Sequence, residues 1–175
     1  EGVQKVMSAV QRELAGAGAA VKWSRTENLH LTLKFLGDTD EEEVPNLSGA
    51  LDGAAASSKP HEARLGGVGA FPNVRRPRVL WVGLEEPTGE LVALQQRVEE
   101  ATRYLVEPDP RGFSAHLTLG RVKSRKNLRR LCELIEGYHL DSAETIPVQS
   151  VELIQSRLGP GGPTYTTLHR SALGG

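Results

Sequence analysis

Apolar positions along the chain change period several times, and each change marks an element. Val3, Val6, Met7, Val10 and Leu14 recur at helical spacing, which predicts an amphipathic helix over residues 1–15. The run "AGAGAA" ends it. "AVKWS" and "LHLTLKFLG" (29–37) alternate apolar and polar residues around the turn "RTEN" and read as two strands. From 38 to 58 come N-cap residues, an acidic first turn and small apolar residues, the pattern of a helix start. Pro45 and Gly49 weaken that helix. "HEARLGGVGAF" and "RVLWVGL" predict strands around the turn "PNVRRP". In "TGELVALQQRVEEATRYL", Leu91, Leu94, Val98, Ala101 and Leu105 form one stripe of a helix. "FSAHLTLGRV" reads as a strand, "NLRRLCELIEGY" as a helix, and "IPVQSVELIQSRL" and "TYTTLHRSAL" as strands around "GPGGP".

Helices alternating with strand pairs and short polar turns give an α+β class with mainly antiparallel pairing. The order helix, strand, motif strand occurs twice, so the expectation is one domain over residues 1–175 made of two related, interlocked lobes. A chain of 175 residues, 38% hydrophobic, buries a sizeable core. No apolar run reaches the roughly 20 residues of a membrane span. The first residues lack a basic start, an apolar stretch and a small-residue cleavage site, so a cytoplasmic location is expected. The one cysteine, Cys132, sits among leucines and reads as a buried structural thiol. Nothing in the sequence demands more than a monomer.

The tetrapeptide His-Leu-Thr-Leu occurs at 30–33 and again at 116–119. In a strand, alternate side chains share a face. His30, Thr32 and Lys34 therefore point one way and Leu31, Leu33 and Phe35 the other; His116 and Thr118 oppose Leu117 and Leu119. The expectation is that each lobe contributes one imidazole and one hydroxyl to a common cleft. Paired imidazoles suit phosphodiester chemistry, because one group must accept a proton while another donates one near neutral pH. Threonine hydroxyls can donate to non-bridging oxygens, and basic side chains can offset charge gathering on phosphorus.

Net charge is −1, which argues against a general nucleic-acid coat protein. Its distribution is uneven. "DTDEEE" at 38–43 is acidic, "RVKSRKNLRR" at 121–130 holds six basic residues and no acid, and "VRRPR" at 74–78 adds three arginines. Such runs are either solvated faces or a local positive field for a phosphate backbone. The longer basic run starts inside the second motif strand.

At these residues the chain resembles the 2H phosphoesterase superfamily, with its two His-x-Thr motifs, and within it the RNA 2′,3′-cyclic phosphodiesterase branch, also called 2′-5′ RNA ligase. "NLHLTLKFLG", "GVGAFPNVRRPRVLWVGL", "HLTLGR" and "VELIQSRLGPGGPTYTTLHR" follow that branch's order across most of residues 1–171. The resemblance implies a bilobal fold of two pseudo-symmetric lobes, mainly antiparallel sheet with helices outside, and a central cleft holding both motifs. It implies hydrolysis of RNA 2′,3′-cyclic phosphate ends, or of cyclic nucleotides, to 2′-phosphomonoesters, with reversible 2′-5′ ligation as a companion reaction. By the same resemblance His30 is the proton donor to the leaving 3′ oxygen, His116 the base that activates water, and Thr32 and Thr118 hold phosphate oxygens. Arg121, with its planar fork of donors, is the charge expected on the phosphate. The family usually opens with a short apolar strand before the first helix. Here the sequence starts at Glu1 inside the helical pattern, so either that strand precedes the residues given or its position is filled differently.

Other residues admit two readings. Lys34 either approaches the phosphate or is solvated. Arg157 and Tyr165, flanking "GPGGP", line the cleft by resemblance or are structural. Phe113 either stacks on a base or joins the core, and Trp23, Phe35, Phe71 and Trp81 read as packing. His61, His139 and His169 are expected to be surface or structural. No cofactor is expected. A catalytic zinc takes about three protein ligands, and no third ligand joins the motif histidines at a recognisable spacing. "GPGGP" lacks the Lys-Ser or Lys-Thr and the strand-to-helix context of a phosphate cradle, so it reads as a turn. Two alternatives to the main function stand beside it: a non-catalytic module that binds RNA ends or nucleotides, and a phosphodiesterase for 2′-5′-linked oligonucleotides.

Overall fold

The computed structural model describes residues 2–159 and 162–174. Its elements run α1 (Gly2–Ala15), β1 (Val21–Trp23), α2 (Val44–Ala56), β2 (His61–Phe71), β3 (Val79–Glu85), α3 (Glu90–Thr102), β4 (His116–Val122), α4 (Leu128–Glu136), β5 (Thr145–Val148), β6 (Ser150–Gly159) and β7 (Gly162–Ala172). The helix predicted from residue 1 is present from Gly2; Glu1 lies outside the described residues, as do Pro160 and Gly161 of the expected "GPGGP" turn. Pro45 does not break α2 because it occupies the first turn, where its missing N–H has no intrahelical partner to lose.

Two compact units divide the chain, and they are not its two halves. The first comprises residues 1–32, 63–85 and 114–146; the second comprises 33–62, 86–113 and 147–175. A five-stranded sheet has the order β1-β4-β3-β2-β5, with antiparallel pairing of β1 with β4, β4 with β3, and β3 with β2; β1, β3 and β4 lie wholly in the first unit. Its core joins Met7, Val10 and Leu14 of α1 and Leu131 and Ile135 of α4 to Leu80, Val82, Leu117 and Leu119 of the sheet. The α1 stripe predicted from its spacing is the face that is buried. In the second unit α2 and α3 pack together, and α2 also packs on the β6–β7 hairpin. Leu47, Leu51, Leu94, Val98, Val151 and Leu153 fill that core.

Two predicted strands are corrected. Residues 29–37 are not a regular strand: the described segment makes one antiparallel bridge, Leu31 with Leu117, and bends at Leu33. The cause is a division of its apolar residues, since Leu29 and Leu31 pack into the first core and Leu33 and Leu36 into the second. A straight strand cannot keep one apolar face while feeding two cores. Likewise "IPVQSVELIQSRL" splits at Gln149 into β5 and β6, which belong to different sheets.

Glu86 fastens the start of α3. Its carboxylate accepts hydrogen bonds from the Leu91 N–H at 3.1 Å, the Thr88 N–H at 2.7 Å and the Thr88 hydroxyl, serving donors that a helix N-terminus leaves unsatisfied. Desolvation works to raise its pKa, but these hydrogen bonds and the charge of His61 outweigh it and bring the carboxyl down to about 2.

Candidate active site

The site begins with the leucines of β4. Leu117 and Leu119 are 4% and 0% exposed, and burying a leucine stabilises by about 1.5–3 kcal/mol. A slip of one residue would bury His116 and Thr118 in their place, so the core fixes which face of β4 is polar. His116 and Thr118 are half-buried on that opposite face.

The Leu31–Leu117 bridge brings the first motif alongside. Counting outward by one residue on each antiparallel segment sets His30 opposite Thr118 and Thr32 opposite His116. The two histidines become diagonal neighbours, a relation that spans about 7–8 Å on an antiparallel pair. His30 and Thr32 are exposed. All four residues belong to the first unit. The duplicated phrase is needed because an antiparallel pair of identical His-x-Thr segments yields two equivalent imidazole–hydroxyl couples.

Each imidazole is held the same way. His30 Nδ1 lies 2.8 Å from the Asn28 carbonyl oxygen and His116 Nδ1 lies 2.7 Å from that of Ser114. A carbonyl can only accept, so Nδ1 carries the proton and Nε2 is the basic nitrogen of the neutral ring. His61 makes the same contact to the Lys59 carbonyl at 2.9 Å, yet its Nε2 is buried. Orientation of Nδ1 is therefore a local backbone habit and not a mark of the motif histidines.

Two aromatic rings flank His116. Phe71 meets it edge-on with centroids 4.9 Å apart, and Trp81 stands 6.4 Å away. Phe71 and Trp81 are themselves 5.2 Å apart. Trp81 pairs with Thr118 on one side and Gly69 on the other, and its ring lies across Gly69 so closely that a Cβ there would come within 2.3 Å of Cη2. The sequence places both aromatics in packing and gives no tie to His116. The signal that could reveal the tie is glycine alternating opposite a large ring on adjacent strands.

Arg121 reaches the polar face through a β-bulge. Strict alternation would put it opposite to Thr118. In the β3–β4 pairing, however, Trp81 faces Thr118 and Leu80 faces Gly120, so Leu119 has no partner on β3. The extra residue resets the alternation. Val79, on the same side of β3 as Trp81, then pairs with Arg121, which is exposed.

The remaining expectations fare differently. Lys34 is corrected: its side chain is only 5% exposed and forms an ion pair with Glu99 at 2.5 Å while donating to the Val106 carbonyl. It is a buried, paired cation of the second unit rather than a solvated one. Arg157 is exposed, donates to Gln155 Oε1 at 3.1 Å and approaches Glu41 at 4.0 Å. Tyr165 pairs with Ser156 and Arg157 with Thr164, so Arg157 and Tyr165 project from opposite faces of their hairpin. Phe113 is half-buried, and Phe35, expected in packing, is 78% exposed. His169 contacts Asp52 Oδ1 at 2.8 Å, with the Ser171 hydroxyl on the same oxygen at 2.7 Å, a structural clamp between α2 and β7. Cys132 is half-buried; burial, helped by Glu136 and Glu133, pushes its thiol pKa up and away from a nucleophilic thiolate. Among the described residues no three His, Cys, Asp or Glu side chains group as metal ligands, and no helix is long and apolar enough to cross a membrane.

The family model described as LigT like Phosphoesterase matches twice, over residues 1–81 and 82–165, once for each His-x-Thr motif. An RNA 2′,3′-cyclic phosphodiesterase of Methanothermobacter thermautotrophicus is 36% identical over 169 residues, covering 96% of this chain and 91% of that protein. One from Archaeoglobus fulgidus is 37% identical over 168 residues, covering 96% and 92%. A crystal structure from Thermus thermophilus superposes with a TM-score of 0.80 at 28% identity, covering 99% of this chain and 92% of that one. With both copies of the motif matched and relatives aligned along nearly the whole length, the chain belongs to the LigT-like family of 2H phosphoesterases.

Proposed function

We propose that the protein hydrolyses the 2′,3′-cyclic phosphate end of RNA to a 2′-phosphomonoester, with His30 and His116 as proton donor and acceptor. The observation that carries this reading is the Leu31–Leu117 bridge, whose register makes the two His-x-Thr segments neighbours. Its support from relatives is that proteins aligning over 96% of the chain bear the name RNA 2′,3′-cyclic phosphodiesterase.

In the proposed reaction His116 Nε2 takes a proton from water as the water oxygen forms a bond to phosphorus. The bond from phosphorus to the 3′ oxygen breaks, and protonated His30 gives its Nε2 proton to that oxygen. One proton is taken and one given, so the net change is hydrolysis. Thr32 and Thr118 donate hydroxyl hydrogen bonds to the non-bridging oxygens, and Arg121 balances charge that builds up in the transition state. Phe71 and Trp81 hold the His116 ring at its angle and exclude water from its sides. When a 5′-hydroxyl of RNA enters in place of water, His116 takes its proton, His30 again protonates the leaving 3′ oxygen, and the product is a 2′-5′ linkage. In the reverse of that ligation the histidines exchange roles, the 3′-hydroxyl attacks phosphorus and the 5′ oxygen leaves.

The test is product analysis on an oligoribonucleotide ending in a 2′,3′-cyclic phosphate. A 2′-phosphate product is expected. A 3′-phosphate product would reverse the leaving group and overturn the roles given to the 3′ oxygen and His30, while binding without a monoester product would reduce the protein to an RNA-end binding module.

A further inference from the structure

A polar residue stands on the apolar stripe of α1. Gln11 lies four residues after Met7 and three before Leu14, so it shares their side of the helix, where Met7, Val10 and Leu14 are buried. An apolar side chain would continue that pattern. Gln11 instead supplies a pair of donors: its Nε2 donates to the Ser24 carbonyl at 2.8 Å and to the Leu119 carbonyl at 2.9 Å, which uses both hydrogens of the amide nitrogen.

Each of these carbonyls lies close in sequence to a motif segment. Leu119 is the bulge residue of β4, one beyond Thr118 and two before Arg121, and β3 offers it no partner. Ser24 is the first residue past β1, and its N–H also donates to the Leu119 carbonyl, at 2.9 Å. From Ser24 the chain passes through one 3-10 turn, Thr26–Asn28, to the Asn28 carbonyl that holds His30 Nδ1. β1 closes on the bulge as well, since a Cβ at Gly120 would meet the Lys22 carbonyl oxygen at 2.9 Å. A bulge disrupts the ladder that would otherwise fix its strand. Here Gln11 and the Ser24 N–H occupy the two lone pairs of the bulge carbonyl, and Gln11 is delivered by a helix whose neighbouring residues are locked in the core.

We infer that Gln11 is a positioning residue: by holding the Leu119 carbonyl it keeps the bulge that turns Arg121 to the side of His116 and Thr118, and through Ser24 it ties that bulge to the segment leading to His30. The inference rests on the role proposed above for Arg121 at the phosphate and adds to it a residue that touches neither the substrate nor the reacting atoms. Without the amide, two part-buried carbonyls lose a donor, a loss that the backbone relieves by shifting. The side chain carried most directly by such a shift is Arg121. A misplacement of about 1 Å far from the chemistry lowers a rate by as much as about 100-fold. Gln11, Ser24, Leu119 and Arg121 all belong to the first unit.

The experiment is a double-mutant cycle of wild type, Gln11→Met, Arg121→Ala and the double variant, assayed for kcat and KM on 2′,3′-cyclic AMP well below each melting temperature. Methionine keeps the length of glutamine and lacks its donors. Gln11→Met is expected to lower kcat/KM about tenfold when Arg121 is present, and by less than about twofold when it is already alanine, because the two residues act as one unit. Calorimetric binding of 2′-AMP repeats the cycle without turnover, and the same pattern is expected. A merely structural role would weaken both backgrounds by the same factor. Equal factors in the two backgrounds, or a wild-type kcat/KM in Gln11→Met, would overturn the inference while leaving the phosphodiesterase reading intact. Gln11→Ala takes the place of the methionine variant if that one does not fold; failure of both to fold would make Gln11 a structural residue and end its positioning role. If wild type binds 2′-AMP with a coupled cycle but forms no monoester from cyclic AMP, Gln11 keeps its role and the phosphodiesterase reading falls. Neither binding nor hydrolysis in wild type would sink both.

Discussion

Leu31 and Leu117 pair across an antiparallel bridge, and this one contact joins the two His-Leu-Thr-Leu segments. The leucines have no part in the chemistry. Their pairing sets His30 beside Thr118 and Thr32 beside His116, so an apolar contact fixes how the proposed acid and base stand to one another.

Arg121 should be needed for turnover and not for folding, because it is exposed and reaches the polar face through the Leu119 bulge. A charge-assisted hydrogen bond contributes about 1.5–3 kcal/mol. Arg121→Ala is therefore expected to lower kcat/KM by about 10- to 100-fold with an unchanged melting temperature, and Arg121→Lys to recover part of the loss. Full activity in Arg121→Ala would remove it from the phosphate.

Gly69 has to remain glycine for Trp81 to lie where it does. In Gly69→Ala the new Cβ meets the indole ring carbons, and overpacking of this kind costs about 1–3 kcal/mol. The expected result is a lower melting temperature together with a fall in kcat, since the displaced indole no longer supports His116. A variant with wild-type stability and kcat would show that the ring moves aside freely and that Trp81 does not position the histidine.

Lys34 should behave as a structural residue. Removing one partner of a buried ion pair leaves the other charge unpaired and costs about 3–5 kcal/mol. Lys34→Met is expected to destabilise strongly, whereas Lys34→Met/Glu99→Leu should regain much of the stability, with KM for the cyclic phosphate unchanged. Denaturant unfolding and steady-state kinetics check both parts; a raised KM in the stable double variant would return Lys34 to the phosphate.

Glu86 links stability to acid. Its folded pKa, about 2, lies below the ordinary value of 4.5, so the folded state favours the ionised form. The contribution is fully present above about pH 4.5 and is lost as pH falls toward 2. Glu86→Gln is expected to lower the melting temperature at neutral pH and to make its decline between these limits shallower. Parallel acid curves for the two proteins would contradict the cap.

Much of the site can be read from the sequence because its chemistry is carried by a repeated, locally alternating pattern. His116 and Thr118 fall opposite Leu117 and Leu119 as strand periodicity requires. What cannot be read depends on partners distant in the chain. The division of Leu31 and Leu33 between two cores, the bulge that turns Arg121 over, and the burial of Lys34 against Glu99 are set by register and packing, which no local period encodes. The aromatic setting of His116 is hidden for the same reason, since Phe71, Trp81 and His116 lie on three different strands or strand ends.

The central claim is that both imidazoles act on one phosphorus, and single-turnover hydrolysis of a cyclic-phosphate oligoribonucleotide in the presence of a chelator tests it most directly. General acid and general base each contribute about 10²- to 10⁴-fold. His30→Ala and His116→Ala should each slow the step by that factor, and the wild-type rate should be bell-shaped in pH, with each variant losing one limb. Full wild-type rate in either variant would contradict the account.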